Sequence, residues 1–326
     1  MSSDLKGHPI VGITIGDAAG IGPEITLKAL ADKHIRAVCR CLIIGDAVHL
    51  RAVGANLGID IASLRVEILD LKNLPADFAK GVDAAVTGKA SAENIEAAVE
   101  LWRENKIDAI CTAPISKKAI GLGGCDFPGH TEFLAELTGT TEFAMSFFAD
   151  RLRVVLLSTH FSLSDAIGLV KKDRLIELIK FSAGELGKLL KRDVSIAVAG
   201  LNPHASEGGM FGSEEQDEIE PAIKYCCDEC DIAVSGPYSP DTIFLRGFRG
   251  EFDAVIALYH DQATIAVKSL SFGSAVNVTL GLPLIRTSVD HGTAYDIVGK
   301  GLADASSMVS AIKLAADLAI GSRKIG

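Results

Sequence analysis

Three histidines stand directly beyond three separate apolar, β-branched runs: His160 after 154–158, His204 after 195–199 and His260 after 254–258. In a parallel sheet these are strand C-termini, where loops converge on a crevice. Three imidazoles meeting there can hold a divalent metal and leave positions open for substrate. The competing reading of each is a hydrogen-bonded structural histidine. Asp241, and Asp261 beside His260, are candidate carboxylates to orient such ligands or join them.

A second group has the chemistry of anion binding. Gly129-His130-Thr131-Glu132 follows the glycine-rich stretch Gly121-Leu122-Gly123-Gly124 and opens a helical pattern. Backbone N–H groups at a helix start, with the Thr131 hydroxyl, suit a phosphate or carboxylate; a plain N-cap made by Thr131 is the alternative. Lys268, Asn277 and Arg286 stand in a weakly charged, mostly apolar region between residues 254 and 288. Buried basic groups there need a negative partner, supplied either by a substrate or by structural salt bridges.

Two loops invite a nucleotide reading. Gly16-Asp17-Ala18-Ala19-Gly20-Ile21-Gly22-Pro23-Glu24 joins a strand to a helix, but its glycine spacing is not that of the dinucleotide fingerprint. Thr87-Gly88-Lys89 lacks the upstream glycine and following hydroxyl of a phosphate-binding loop. Residues 291–301, from His291-Gly292-Thr293-Ala294-Tyr295-Asp296 to Gly301, are dense in turn formers and precede a helix. They are the better candidate.

The elements that must position these groups alternate. Apolar runs at 10–15, 41–44, 109–112, 154–158, 195–199, 232–235, 254–258 and 275–279 read as strands, and amphipathic stretches at 23–31, 92–104, 172–190, 214–226 and 306–320 read as helices. Continuous apolar strands between helices predict an α/β fold with mostly parallel sheets covered on both faces. The 326 residues, 48% apolar and 23% charged, suffice for a sizeable core. A net charge of −10 without a basic run argues against nucleic acid as partner. No apolar run is long enough to span a membrane, and the first ten residues lack a signal-peptide core. With seven cysteines, an odd number, this points to a cytoplasmic protein with reduced thiols.

The segments GDAAGIGPE, FPGHTEF, STHFSL, GLNPHASEGG, GPYSPDTIF, YHDQATIAVK and VNVTLGLPLIRTSVDHGTA, with the C-terminal helix, resemble the 4-hydroxythreonine-4-phosphate dehydrogenase (PdxA) family over nearly the whole chain. The HGTAYDIVGKG stretch is also similar to the adenine-side loop of isocitrate and isopropylmalate dehydrogenases. The resemblance implies two α/β/α domains with an active-site cleft between them, expected as 1–125 with 288–326 and as 126–287.

It further implies a cytoplasmic homodimer with a shared site. The implied reaction is oxidation of 4-phosphooxy-L-threonine by NAD, or NADP, with a divalent metal such as zinc, cobalt or magnesium, and decarboxylation to 3-amino-2-oxopropyl phosphate in pyridoxal phosphate biosynthesis. Catabolic relatives acting on D-threonate or D-erythronate 4-phosphate, or on dihydrodiol dicarboxylates, share the motifs. Matched onto this chain, His160, His204 and His260 are the expected metal ligands. His130, Thr131, Lys268, Asn277 and Arg286 are expected to bind substrate, with Asp241, Asp261 and Lys268 as catalytic groups. His291, Gly292, Thr293, Ala294 and Asp296 are expected to hold the cofactor.

Overall fold

The structure, a computed structural model, describes residues 7–127, 129–271 and 273–323. Pro128, part of the FPGHTEF segment, lies outside the described residues. Among them run eleven strands: β1 (Ile10–Thr14), β2 (Arg40–Gly45), β3 (Glu67–Asp70), β4 (Ala109–Thr112), β5 (Ala144–Ala149), β6 (Leu152–Leu156), β7 (Ile196–Ala199), β8 (Val234–Tyr238), β9 (Ala254–Ala257), β10 (Val276–Leu280) and β11 (Ile285–Ser288).

The chain divides into two compact units, Met1–Phe143 with Leu282–Gly326, and Ala144–Gly281. The boundaries expected from sequence, 125/126 and 287/288, put residues 126–143 and 282–287 in the central unit; the structure puts them in the terminal one. The reason is packing. Phe133 and Leu134 of the helix His130–Thr138 share a buried cluster with Ile95, Ile110, Leu282 and Leu284, and β11 pairs with β4.

In the terminal unit the strand order is β3-β2-β1-β4-β11 and every pairing is parallel. All four residues of β4 are buried, as a strand covered on both faces must be. Polar caps start the covering helices: the Asp46 carboxylate accepts from His49 N at 2.8 Å to begin Ala47–Leu57, which Gly58 ends in the left-handed conformation.

The central unit has the order β10-β5-β6-β9-β7-β8. β5 runs antiparallel to both β10 and β6, and the remaining pairs are parallel. The tight β5–β6 hairpin is possible because Asp150 takes φ 53°. Its core gathers Val154, Leu156, Val255, Ala257, Ile243 and Phe244.

The mostly parallel α/β class agrees with the reading from sequence, which missed β3, β5 and β11. β3 begins and ends on an acidic residue and is nowhere fully buried, so its hydrophobic signal is weak. β11 follows β10 after only four residues and reads as its continuation. The stretch 214–226 is a π-turn, Glu215–Ile219, running into the helix Glu220–Asp228. No described helix is long and apolar enough to cross a membrane. All seven cysteines are free.

Candidate active site

In the central unit the loops after β6, β7 and β9 carry His160, His204 and His260. The His160 and His260 rings lie 5.8 Å apart, centroid to centroid, tilted by 38°. His260 Nδ1 is 2.7 Å from Asp261 Oδ1. That contact can hold the ring in the tautomer whose Nε2 carries a lone pair for a metal.

His204 stands apart from this pair, exposed, with its ring 6.5 Å from that of Phe211. It heads an unusual turn. His204, Ala205, Ser206 and Glu207 all have positive φ, 54°, 51°, 62° and 46°. Left-handed backbone costs about 1–2 kcal/mol per non-glycine residue, so the surroundings must hold it. The clamp is Glu215, whose side chain is fully buried: Oε1 accepts from Leu201 N and Asn202 N, both at 2.7 Å, and Oε2 from Asn202 Nδ2 at 2.8 Å.

No group of three or more His, Cys, Asp or Glu side chains that could hold a metal forms among the described residues. The structure therefore brings His160 and His260 together and leaves His204 outside the pair. The donor types suit a divalent ion all the same: two adjacent imidazoles, one oriented by a carboxylate, and a third imidazole on a strained loop of the same unit. Asp241 is exposed in the first turn of the helix Pro240–Phe248 and accepts from Ser239 Oγ at 2.6 Å. Lys268 is exposed in the last turn of the helix His260–Ser271, and so lies on a helix surface rather than in an apolar strand region. Asn277 is half-buried in β10.

The terminal unit carries the other anion-binding candidates. Gly129, not Thr131, is the N-cap of the helix His130–Thr138, and it offers no side-chain cap. His130 and Thr131 thus occupy the first turn, at the end of the helix whose backbone dipole favours negative charge. The His130 side chain is half-buried, and its solvent-shielded Nε2 has no hydrogen-bond partner among the described residues. Burial, reinforced by the Arg286 charge, holds its pKa well below the usual histidine value. Arg286 is 4% exposed and donates from Nη2 to Thr112 Oγ1 at 3.0 Å. Burial lowers its pKa to about 10, partly offset by Cys111 and Glu132. A charged guanidinium sealed beside a neutral imidazole strongly favours an anion.

The first glycine-rich loop acts through packing. Gly16 has φ 68°, and a Cβ there would lie 2.2 Å from the Pro114 carbonyl; one at Gly20 would lie 2.9 Å from the Thr293 carbonyl. Ile21 N donates to that same Thr293 carbonyl at 3.0 Å. Tyr295 donates to the fully buried Asp17 at 2.7 Å and lies 3.2 Å from Asp83 Oδ1, which accepts from Ser116. Burial and the Asp17 carboxylate raise the Tyr295 pKa. Lys28 donates to the carbonyls of Gly301 and Ala303, and Glu24 accepts from Ala303 N. The 291–301 loop is therefore strapped at both ends to the first loop and its helix. His291, Gly292 and Asp296 on it are exposed, and Thr293 and Ala294 half-buried. Gly88, in the TGK stretch, is likewise a packing glycine: its Cβ would meet the Ala119 carbonyl at 1.8 Å.

Sequence reasoning did not single out Glu215, Gln262, Tyr295 or Asp83. Only the YHDQ order hinted at Gln262.

Residues 37–315 match the family described as pyridoxal phosphate biosynthetic protein PdxA. The chain belongs to the PdxA family. A D-threonate 4-phosphate dehydrogenase of Cupriavidus necator is 44% identical over 325 residues, 95% of this chain and 97% of that protein. A 4-hydroxythreonine-4-phosphate dehydrogenase of Geobacter metallireducens is 43% identical over 328 residues, 95% and 96% of the two chains. The crystal structure of a 4-hydroxythreonine-4-phosphate dehydrogenase from Burkholderia phymatum superposes with TM-score 0.82 at 43% identity, covering 95% of this PdxA-family chain and 98% of that one.

Proposed function

We propose that this PdxA-family protein is an NAD-dependent, divalent-metal-dependent dehydrogenase of a four-carbon, 4-phosphorylated hydroxy acid. The reading commits first to 4-phosphooxy-L-threonine, oxidised and decarboxylated to 3-amino-2-oxopropyl phosphate in pyridoxal phosphate biosynthesis. The observation that carries it is Arg286, a buried guanidinium beside the neutral His130 imidazole, whose Nε2 has no hydrogen-bond partner among the described residues: an anion site in a chain whose relatives are named for phosphorylated substrates.

Each residue then has a task. Arg286, His130 and Thr131 bind the phosphate, with Lys268 and Asn277 holding the remaining polar groups of the substrate, so that the reacting carbon is fixed in place. His160, His260 and His204 hold the metal, zinc, cobalt or magnesium, and Asp261 orients His260. When bound, the ion supplies charge stabilisation at the oxidised oxygen and the nicotinamide accepts the hydride. Asp241, Asp261 and Lys268 serve the accompanying proton transfers: the hydroxyl proton leaves on oxidation, and a proton returns to carbon after the C–C bond to the carboxylate breaks. His291, Gly292, Thr293, Ala294 and Asp296 face the cofactor, NAD or NADP.

A homodimer with a shared site is part of the reading. Phe161 (55% exposed), Met210 (72%) and Ile265 (66%) form large apolar exposures beside the histidine loops. Exposed apolar side chains of that size on the histidine-bearing segments suit coverage by a second copy.

A second reading, D-threonate 4-phosphate as substrate, is favoured by the C. necator relative. The two substrates share carboxylate, 3-hydroxyl and phosphate and differ at C2, amino against hydroxyl. NADH formation by metal-loaded protein on both compounds, with and without chelator, tests the proposal. Chelator-sensitive turnover of the amino acid supports the first reading and preference for the threonate the second. Silence on both overturns the two together.

A further inference from the structure

The loops bearing the three histidines are laced together beneath the site by groups that never reach its surface. Ser158 Oγ, two residues before His160, donates to the Leu258 carbonyl at 2.9 Å. Leu258 N in turn donates to Gln262 Oε1 at 2.7 Å, and Gln262 Nε2 donates to the Gly200 carbonyl at 2.8 Å. Gly200 directly follows β7, the strand that leads to His204, and the next two residues are clamped by Glu215. One run of hydrogen bonds therefore crosses from β6 to β9 to β7.

Gln262 is the keystone of this run. It sits on the helix that His260 opens and is 8% exposed. Its amide orientation is set by its partners, because an N–H meets one end and a carbonyl the other. An apolar residue at such a position would bury well without the cost of desolvating an amide. What an apolar residue lacks is directionality. Two hydrogen bonds at 2.7 and 2.8 Å fix the separation of the β7 and β9 termini to a few tenths of an ångström. Metal ligation tolerates distance errors of only about 0.2 Å.

From the Leu258–Gln262–Gly200 bridge we infer that Gln262 is a positioning residue, setting the spacing between the His204 loop and the His260 loop. The inference rests on the proposed assignment of these histidines to a metal. Gln262 touches neither substrate nor ion; it acts through the two backbones it joins. Ser158 performs the same task between the His160 and His260 loops.

The test is cobalt binding to the full-length protein, read by visible absorption without turnover. Gln262→Met, close in shape, removes both hydrogen bonds; Gln262→Glu keeps the acceptor for Leu258 N and removes the donor to Gly200. Cobalt affinity is expected to fall about 10–100-fold in Gln262→Met, with an altered d–d spectrum, and to fall less in Gln262→Glu. A merely structural glutamine would lower the melting temperature and leave the affinity and spectrum of the folded protein unchanged; that result overturns the inference. Should Gln262→Met fail to fold, Gln262→Glu and Ser158→Ala are judged alike: a loss of threefold or more supports it, and wild-type cobalt binding in both overturns it. Absence of cobalt binding in the wild type overturns the metal assignment and this inference with it. Wild-type binding with unperturbed variants overturns the inference alone.

Discussion

Arg286 Nη2 donates to the Thr112 hydroxyl at 3.0 Å, across two neighbouring parallel strands whose side chains here are sealed from solvent. Burial brings the guanidinium pKa down to about 10, which still leaves it charged at neutral pH.

Thr112→Val keeps the shape of that side chain and removes the hydroxyl. The KM for the phosphorylated substrate is expected to rise about tenfold, the equivalent of one hydrogen bond to a charged group, with the KM for NAD unchanged. Thr112→Ser should restore binding. Steady-state kinetics on the three proteins check this, and equal rises in both KM values would remove Arg286 from the anion site.

His49 is 8% exposed, and burial, aided by the nearby Lys80 charge, lowers its pKa to about 4. The unfolded chain takes up this proton near pH 6.5 and the folded chain only near pH 4, so the folded state binds fewer protons in between. The stability from this group is complete above pH 6.5 and is lost as the pH falls from 6.5 to about 4, by on the order of 3 kcal/mol. His130 shifts in the same direction. Denaturant unfolding from pH 7 to 4 should show a shallower loss in His49→Gln; parallel curves would contradict the assignment.

Tyr295→Phe removes the hydroxyl that donates toward Asp17 and Asp83 and leaves the buried Asp17 carboxylate accepting from Ala19 N. A loss of about 1–3 kcal/mol in stability is expected, together with a KM for NAD raised about tenfold and a KM for the phosphorylated substrate held within about twofold, because the 291–301 loop is what the phenol straps down. Unfolding curves and NADH fluorescence titration measure the two effects. An unchanged NADH affinity would mean that the loop does not meet the cofactor.

Gly16→Ala should cost about 3 kcal/mol or more, since its φ is 68° and the added Cβ would sit 2.2 Å from the Pro114 backbone oxygen. Gly58→Ala serves as control: φ is also 68°, but nothing lies within 4 Å of its Cβ. Its cost should be that of the left-handed backbone alone, about 1 kcal/mol. Equal melting temperatures for the two variants would show that the first loop yields to the intrusion.

Much of this architecture is local and so was legible. β1, β4, β6, β7 and β9 are short apolar runs closed by polar loops, and their ends place His160, His204 and His260 without reference to any distant residue. The 291–301 loop announced itself by turn residues. The glycines of the first loop were equally visible, but their purpose was not: the need at Gly20 comes from Thr293, far away in sequence. Arg286 could be read as a buried cation, whereas its partner Thr112 lies 174 residues away.

The sequence by itself determined the alternation of strands and helices, and with it the strand ends where polar side chains gather, because periodicity and burial act over a few residues. The family followed from motifs for the same reason. Only the tertiary structure decided which histidines meet, that Glu215 holds a left-handed turn under His204, and that Gln262 joins two loops. Those outcomes depend on which strand lies beside which, and β9 between β6 and β7 is a long-range arrangement that no local pattern encodes.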